Sequence, residues 1–279
     1  MTVASVLRAP DGLLHFLDAV PEKYKSGPWH PFAVLILLGV ALFLLLSAES
    51  AEHSYANDVL TRLQLQPEAS PTLQGLRAGG VVYMVAVVWA VLRVAGAWPL
   101  ASYTVTSWNL LAARLLFAAL SSATGHPLVA VAAQALRFPA LVGACITVSV
   151  WWLVLVPLIY FLLRKEPKRQ RGFLLFNFSP MLLSLHLANL PIALADFAQA
   201  HTPLCFFDLW AGLAVCFCYI LFYLNVLDRA GLHFYIVFTP RTPWVLLTYP
   251  AVLGLYVAVF AGANAWLAAG AARPAGGGR

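Results

Sequence analysis

Apolar runs of about 17–25 residues, the length at which an α-helix crosses the hydrocarbon of a bilayer, recur along almost the whole chain. They read as Pro31 to Ala48, Gly80 to Ala97, a third that starts almost at once and ends near Ala123, Ala140 to Leu163, Phe173 to Phe197, Leu204 to Val226, and Trp244 to Leu267. Backbone in lipid has no water to bond, so such runs must close their hydrogen bonds internally, as helices. The sequence therefore predicts an all-α polytopic transmembrane bundle of about seven spans. The totals agree. Of 279 residues, 62% are hydrophobic and 10% charged, with a mean hydropathy of +0.82, against about 25% charged in a soluble domain. So few charges cannot cover a water-facing surface, and lipid is the solvent for the outside.

Between the first two runs, Glu49 to Arg77 reads as the longest soluble loop, kept in water by Glu49, Glu52, His53, Asp58, Arg62 and Glu68. The turn at Trp98-Pro99 makes the second and third spans antiparallel neighbours. Thr124 to Pro139 reads as a connection that folds back as an apolar, interfacial segment. The tail from Ala268 to Arg279, rich in Gly and Ala, is expected to be disordered. Asp11, Asp18, Glu22, Lys23 and Lys25 precede any long apolar run, so no cleaved signal peptide is expected.

The net charge is +6, but five of the seventeen basic residues sit together as Arg164, Lys165, Lys168, Arg169 and Arg171. That clustering is a topology signal with anionic lipid as the contact, not a nucleic-acid surface. With seven spans, ten basic residues share the side of the N-terminus, and Arg62, Arg77, Arg137, Arg273 and Arg279 lie opposite. The N-terminus is therefore expected in the cytosol; the endoplasmic reticulum and the plasma membrane both fit. Cys145, Cys205, Cys216 and Cys218 lack metal-ligand spacing and read as small core residues. No metal or cofactor is expected.

The fifth run is where hydrophobicity gives way. It carries Asn177, Ser179, Ser184, His186, Asn189 and Asp196 together with Pro180 and Pro191. A polar side chain at membrane depth is costly enough to be a functional candidate. His186 and Asn189 are three apart and Asn189 and Asp196 seven apart, so one face carries all three. Pro191 frees backbone near Leu187 for another donor. His186 reads either as an interhelical hydrogen bond or as a general base, since neutral imidazole accepts a proton near pH 7.

A base needs a proton donor, and the start of the third span offers Ser102, Tyr103, Thr104, Thr106 and Ser107. Hydroxyls there also serve as helix caps. At about 1.5 Å per residue, Thr106 lies roughly 8 Å deep and His186, counted from Phe173, roughly 20 Å. If the segment before Pro180 lies outside the hydrocarbon, the histidine rises to about 9 Å and the two can meet.

The residues also carry a resemblance. His186 is followed by Pro191 and Asp196, Tyr219-Ile220-Leu221 leads on to Gly231 and Tyr235, and Thr106 precedes Asn109 by three. This pattern resembles the androgen-induced gene and androgen-dependent TFPI-regulating family of intramembrane hydrolases. It covers roughly residues 80–267, six of the seven spans, leaving 1–79 as a cytosolic N-terminus, extra helix and polar loop. The resemblance implies hydrolysis of fatty acid esters of hydroxy fatty acids, a lipid ester as substrate, Thr106 as nucleophile and His186 as base. Ile236 stands where the family usually has proline. The Rolling stone group is a more distant resemblance, carried by His186, Asn189 and Asp196, and implies a non-enzymatic role in adhesion or fusion. A transporter or receptor with Arg93, Arg114, Asp196 and Asp208 along a path is the third reading; no internal repeat supports it.

Overall fold

Proline opens helix after helix. In the computed structural model, which describes residues 27–65, 70–199, 202–229 and 234–271, α1 (Pro31–Leu46), α3 (Pro71–Ala95), α5 (Pro127–Lys165), α6 (Pro167–Asn177) and α7 (Pro180–Ala198) all begin on it. Its fixed φ suits the first helical position, where no amide partner is needed. Between these lie α2, made of Ala48–Ser54, Tyr55–Val59 and Leu60–Leu65, and α4 (Tyr103–Thr124); α8 (Phe206–Leu227) and α9 (Val245–Ala271) follow. Ser70, Ser102 and Ser179 cap the N-termini of α3, α4 and α7 with their side chains. Gly96 and Gly125 stop α3 and α4 at positive φ, +75° and +64°, a conformation that favours glycine. No strand occurs among the described residues. The expectations for the first 26 residues, Glu68, Gly231 and the tail beyond Ala271 lie outside the described residues.

The chain is an all-α, multi-pass membrane bundle. By length and hydropathy α3, α5, α7, α8 and α9 can each cross a membrane, and α1 with the first part of α2, bent by 50°, would make a sixth, broken span. The predicted third span, α4, is not among them although it has 22 residues. Its composition is the reason: Thr104, Thr106, Ser107, Asn109 and Arg114 lower its hydropathy. Thr104, Ser107, Trp108, Leu111, Arg114 and Leu115 are buried where α4 packs against α3, α5 and α7, while Leu116 and Leu120 on its other side are exposed. The lipid face is formed by exposed residues such as Leu45, Val82, Leu153 and Leu247.

Several boundaries differ from the sequence reading. Within Glu49 to Arg77 the described residues are helical, as α2 and the start of α3, and three of the charges have partners while Glu49, Glu52 and His53 are exposed. Arg62, 4% exposed, forms a bidentate pair with Asp208, and Ser54 donates to Asp58. Pro127 to Pro139 is helical and continuous with the fourth span; at 39 residues, α5 extends about 58 Å, so part of it lies outside the hydrocarbon. The fifth span begins at Pro180 and not at Phe173, because Ser179 restarts the helix. At the C-terminus, α9 continues through Ala271, so the first four residues of the predicted disordered tail are helical. Gly80, the expected start of the six-span core, lies inside α3, and the extra helix α1 packs on α8 and α9.

The crossing of α4 and α5 leaves no room at Gly143, where an added Cβ would stand 2.7 Å from Ser107 Oγ and 3.3 Å from its Cβ. Gly143→Leu should therefore cost about 1–3 kcal/mol through overpacking, seen as a lower thermal midpoint in detergent followed by tryptophan fluorescence. Gly254, with nothing within 4 Å, is the control: Gly254→Leu should leave the midpoint unchanged.

Candidate functional site

Ser179 accepts a hydrogen bond from the Leu182 amide and starts α7 afresh after the break at Phe178. His186 follows on a π-helical turn, Ser184–Ala188. Counted from Pro180 it stands about 9 Å along the helix. On α4, Ser102 is the N-cap: it accepts from Val105 N and donates to Pro99 O. That puts Thr104 in the first turn, and the two helices meet there. Thr104 Oγ1 lies 3.4 Å from His186 Nε2, both side chains buried.

The imidazole is held on its other sides. Nδ1 lies 3.2 Å from Leu182 O. A carbonyl only accepts, so the proton belongs on Nδ1 and Nε2 is left as the acceptor facing Thr104. The ring stacks on Trp151 at a centroid distance of 3.8 Å and 25°. Trp151 donates to Asn177 Oδ1, and Asn177 donates in turn to Phe173 O. The backbone freed ahead of Pro191 also finds a donor: Trp152 Nε1 bonds His186 O at 2.8 Å. This arrangement turns the accepting ring nitrogen toward a secondary hydroxyl.

The structure brings His186 to Thr104 and not to Thr106. Two residues along a helix is about 200° of rotation, and the Thr106 hydroxyl turns back to donate to Ser102 O at 2.9 Å. Ser107 is buried against Gly143 with its hydroxyl unpartnered. The single polar stripe expected on the fifth span also divides. Asn189 is fully buried in the core, both its amide atoms without partners. Asp196, about 15 Å further along α7 than His186, bonds Arg77 Nε and Arg114 Nε, each at 2.9 Å. Arg114 is thus paired within the bundle, while Arg93 is exposed near the end of α3, over the Trp89 ring. Arg137 binds Thr202 O and lies over Phe197.

Thr104 and Trp151 open onto a cavity of about 120 Å³ walled by α1, α4, α5, α8, α9 and the connection between α8 and α9. No charged side chain lines it. Tyr235, from that connection, accepts the Thr104 amide at 3.4 Å through its phenol oxygen. Burial pushes this phenol above its ordinary pKa, so it is protonated at neutral pH. Deeper on α5, one turn from Trp151, Thr147 lines the same cavity, buried and with its hydroxyl unpartnered. Among the described residues no three His, Cys, Asp or Glu side chains converge as metal ligands. The roles of Trp151 and Thr147 were not legible in the sequence, where both lie in an ordinary apolar run.

No family model, curated protein or solved structure matches the chain.

The ion pairs at the far end of α7 hold buried charge and should behave as structural groups. Asp196→Asn leaves two arginines without their carboxylate and should cost about 3–5 kcal/mol, measured as a lower thermal midpoint in detergent. Asp228→Asn, at the opposite end, should fall in the same direction because Arg241 loses its partner there.

Proposed function

We propose that this chain is an intramembrane hydrolase of lipid esters, with Thr104 as nucleophile and His186 as general base. The observation that carries the reading is the Thr104 Oγ1 to His186 Nε2 contact at the wall of an uncharged cavity, with the tautomer set by Leu182 O. His186 takes the hydroxyl proton as Thr104 attacks the ester carbonyl, then delivers it to the departing alkoxide. Water, deprotonated by the same nitrogen, cleaves the acyl-threonine and restores the hydroxyl. Thr104 stands in the first turn of α4, near the end of that helix.

The cavity suits an acyl chain arriving sideways from the bilayer. Such a chain exchanges one apolar environment for another, because lipid tails are as apolar as the side chains that would hold it. Selection must then come from hydrogen bonds to the ester and to any polar group on the chain, and Thr147 offers one. The resemblance to the androgen-induced gene family implies the same residue types, a threonine and a histidine, but with Thr106 in the place this reading gives to Thr104. The basic turn at residues 164–171 favours the cytosol for its end of the bundle and, on a count of seven spans, for the N-terminus.

Fluorophosphonate labelling of the purified protein tests the pair. Thr104→Ala and His186→Ala should each abolish labelling while the protein stays monodisperse, and Thr106→Ala should retain at least half of it. Labelling that survives Thr104→Ala but is lost with Thr106→Ala returns the role to Thr106; labelling that survives all three substitutions ends the reading.

A further inference from the structure

Attack on an ester carbonyl builds negative charge on its oxygen, and in an uncharged cavity that charge needs a donor already aimed at it. Most of the hydroxyls around Thr104 are engaged. Ser102 donates to Pro99 O, the Tyr219 phenol to Ala101 O and the Tyr249 phenol to Phe238 O, while the Tyr103 and Tyr256 phenols share a contact of 3.5 Å. Tyr223 lines the cavity with its hydroxyl unpartnered, but it is Tyr235 that reaches Thr104. Its phenol oxygen serves as acceptor for the Thr104 amide, so its O–H is not needed for that bond. It lines the same cavity as the Thr104 side chain.

Resting on the hydrolase reading above, we propose that Tyr235 is the oxyanion donor of the site, its phenol hydrogen-bonding the ester carbonyl oxygen while Thr104 attacks the carbon. The two residues are already linked, since the amide that bonds the phenol belongs to the nucleophile itself. Thr104 also lies in the first turn of a 22-residue helix, whose positive end favours an anion at that position. Burial keeps the phenol protonated at neutral pH, which is the state a donor requires. The proton balance is unchanged: Thr104 gives its proton to His186, and Tyr235 donates a hydrogen bond without transferring its own. When the tetrahedral intermediate collapses, the carbonyl re-forms and the leaving alkoxide takes the proton from His186. A connection between two spans, not a span, thereby completes the chemistry.

The test is Tyr235→Phe in the full-length protein in detergent, assayed on a long-chain lipid ester. Loss of one oxyanion donor should lower kcat by about 100-fold or more with KM changed by less than about threefold. A second measurement separates the donor from a merely structural role. A long-chain trifluoromethyl ketone, labelled with 13C at the carbonyl, should form a hemiketal with Thr104 whose ionisation is read by NMR. In Tyr235→Phe the pKa of that hemiketal should rise by about two units, the same factor as the loss in kcat. A kcat within about twofold of wild type, a loss confined to KM, or a hemiketal that titrates unchanged would each overturn the assignment. If Thr104→Ala is inactive while Tyr235→Phe is intact, only this inference falls; if Thr104→Ala keeps full activity, the hydrolase reading falls and takes the inference with it.

Discussion

The Ser179 side chain accepting the Leu182 amide, with Pro180 beside it, sets the level of everything in the candidate site. Without that restart the fifth apolar run would continue from Phe173 as one helix, and His186 would sit roughly 20 Å deep, more than two turns below the hydroxyls at the start of α4. With it, the basic and aromatic segment Pro167–Asn177 becomes a separate helix and α7 begins afresh. The histidine is carried up to Thr104. The same segment is not idle, since Asn177 at its end fixes Trp151, whose ring backs the imidazole. One cap thus decides both the depth of His186 and the placement of the group behind it.

A second constraint is the cost of charge in lipid, and it acts at the other end of α7. Asp196 is buried between Arg77 and Arg114, and Arg62 is buried against Asp208. Charges in such surroundings persist only when paired, and here they join α7 to α3 and α4, and α2 to α8. The helix therefore has two polar ends with different work: ion pairing at Asp196 and oriented hydrogen bonding at His186. Between them Asn189 is enclosed in the core.

Much of the site was legible. His186 stood out because a histidine in an apolar run is expensive, and the hydroxyl cluster from Ser102 to Ser107 was visible as its complement. The Ser179-Pro180 pair is itself a helix-start signal, so the condition for the two to meet was written in the chain. The choice between Thr104 and Thr106 was not. Two residues apart on a helix face opposite ways, and which way either faces depends on how α4 is rotated against α7, a matter of packing at Gly143, Ser107 and Trp108. Resemblance chose Thr106; geometry brings Thr104 to His186.

By itself the sequence determined that this protein is helical and lives in a membrane, because apolar runs of spanning length leave the backbone no other way to satisfy its hydrogen bonds in lipid. It also marked which residues are too costly in lipid to be incidental, while the helix starts at Pro127 and Pro180 went unread although proline stands at both and serine just before the second. Only the tertiary structure decided which face of each span is buried, that α2 lies within the apparent loop and buries Arg62 against Asp208, and which threonine meets His186. Local chemistry specifies where a helix can start and what it can tolerate. Rotation, depth and partner are set by side chains far apart in sequence, and are decided when the helices pack.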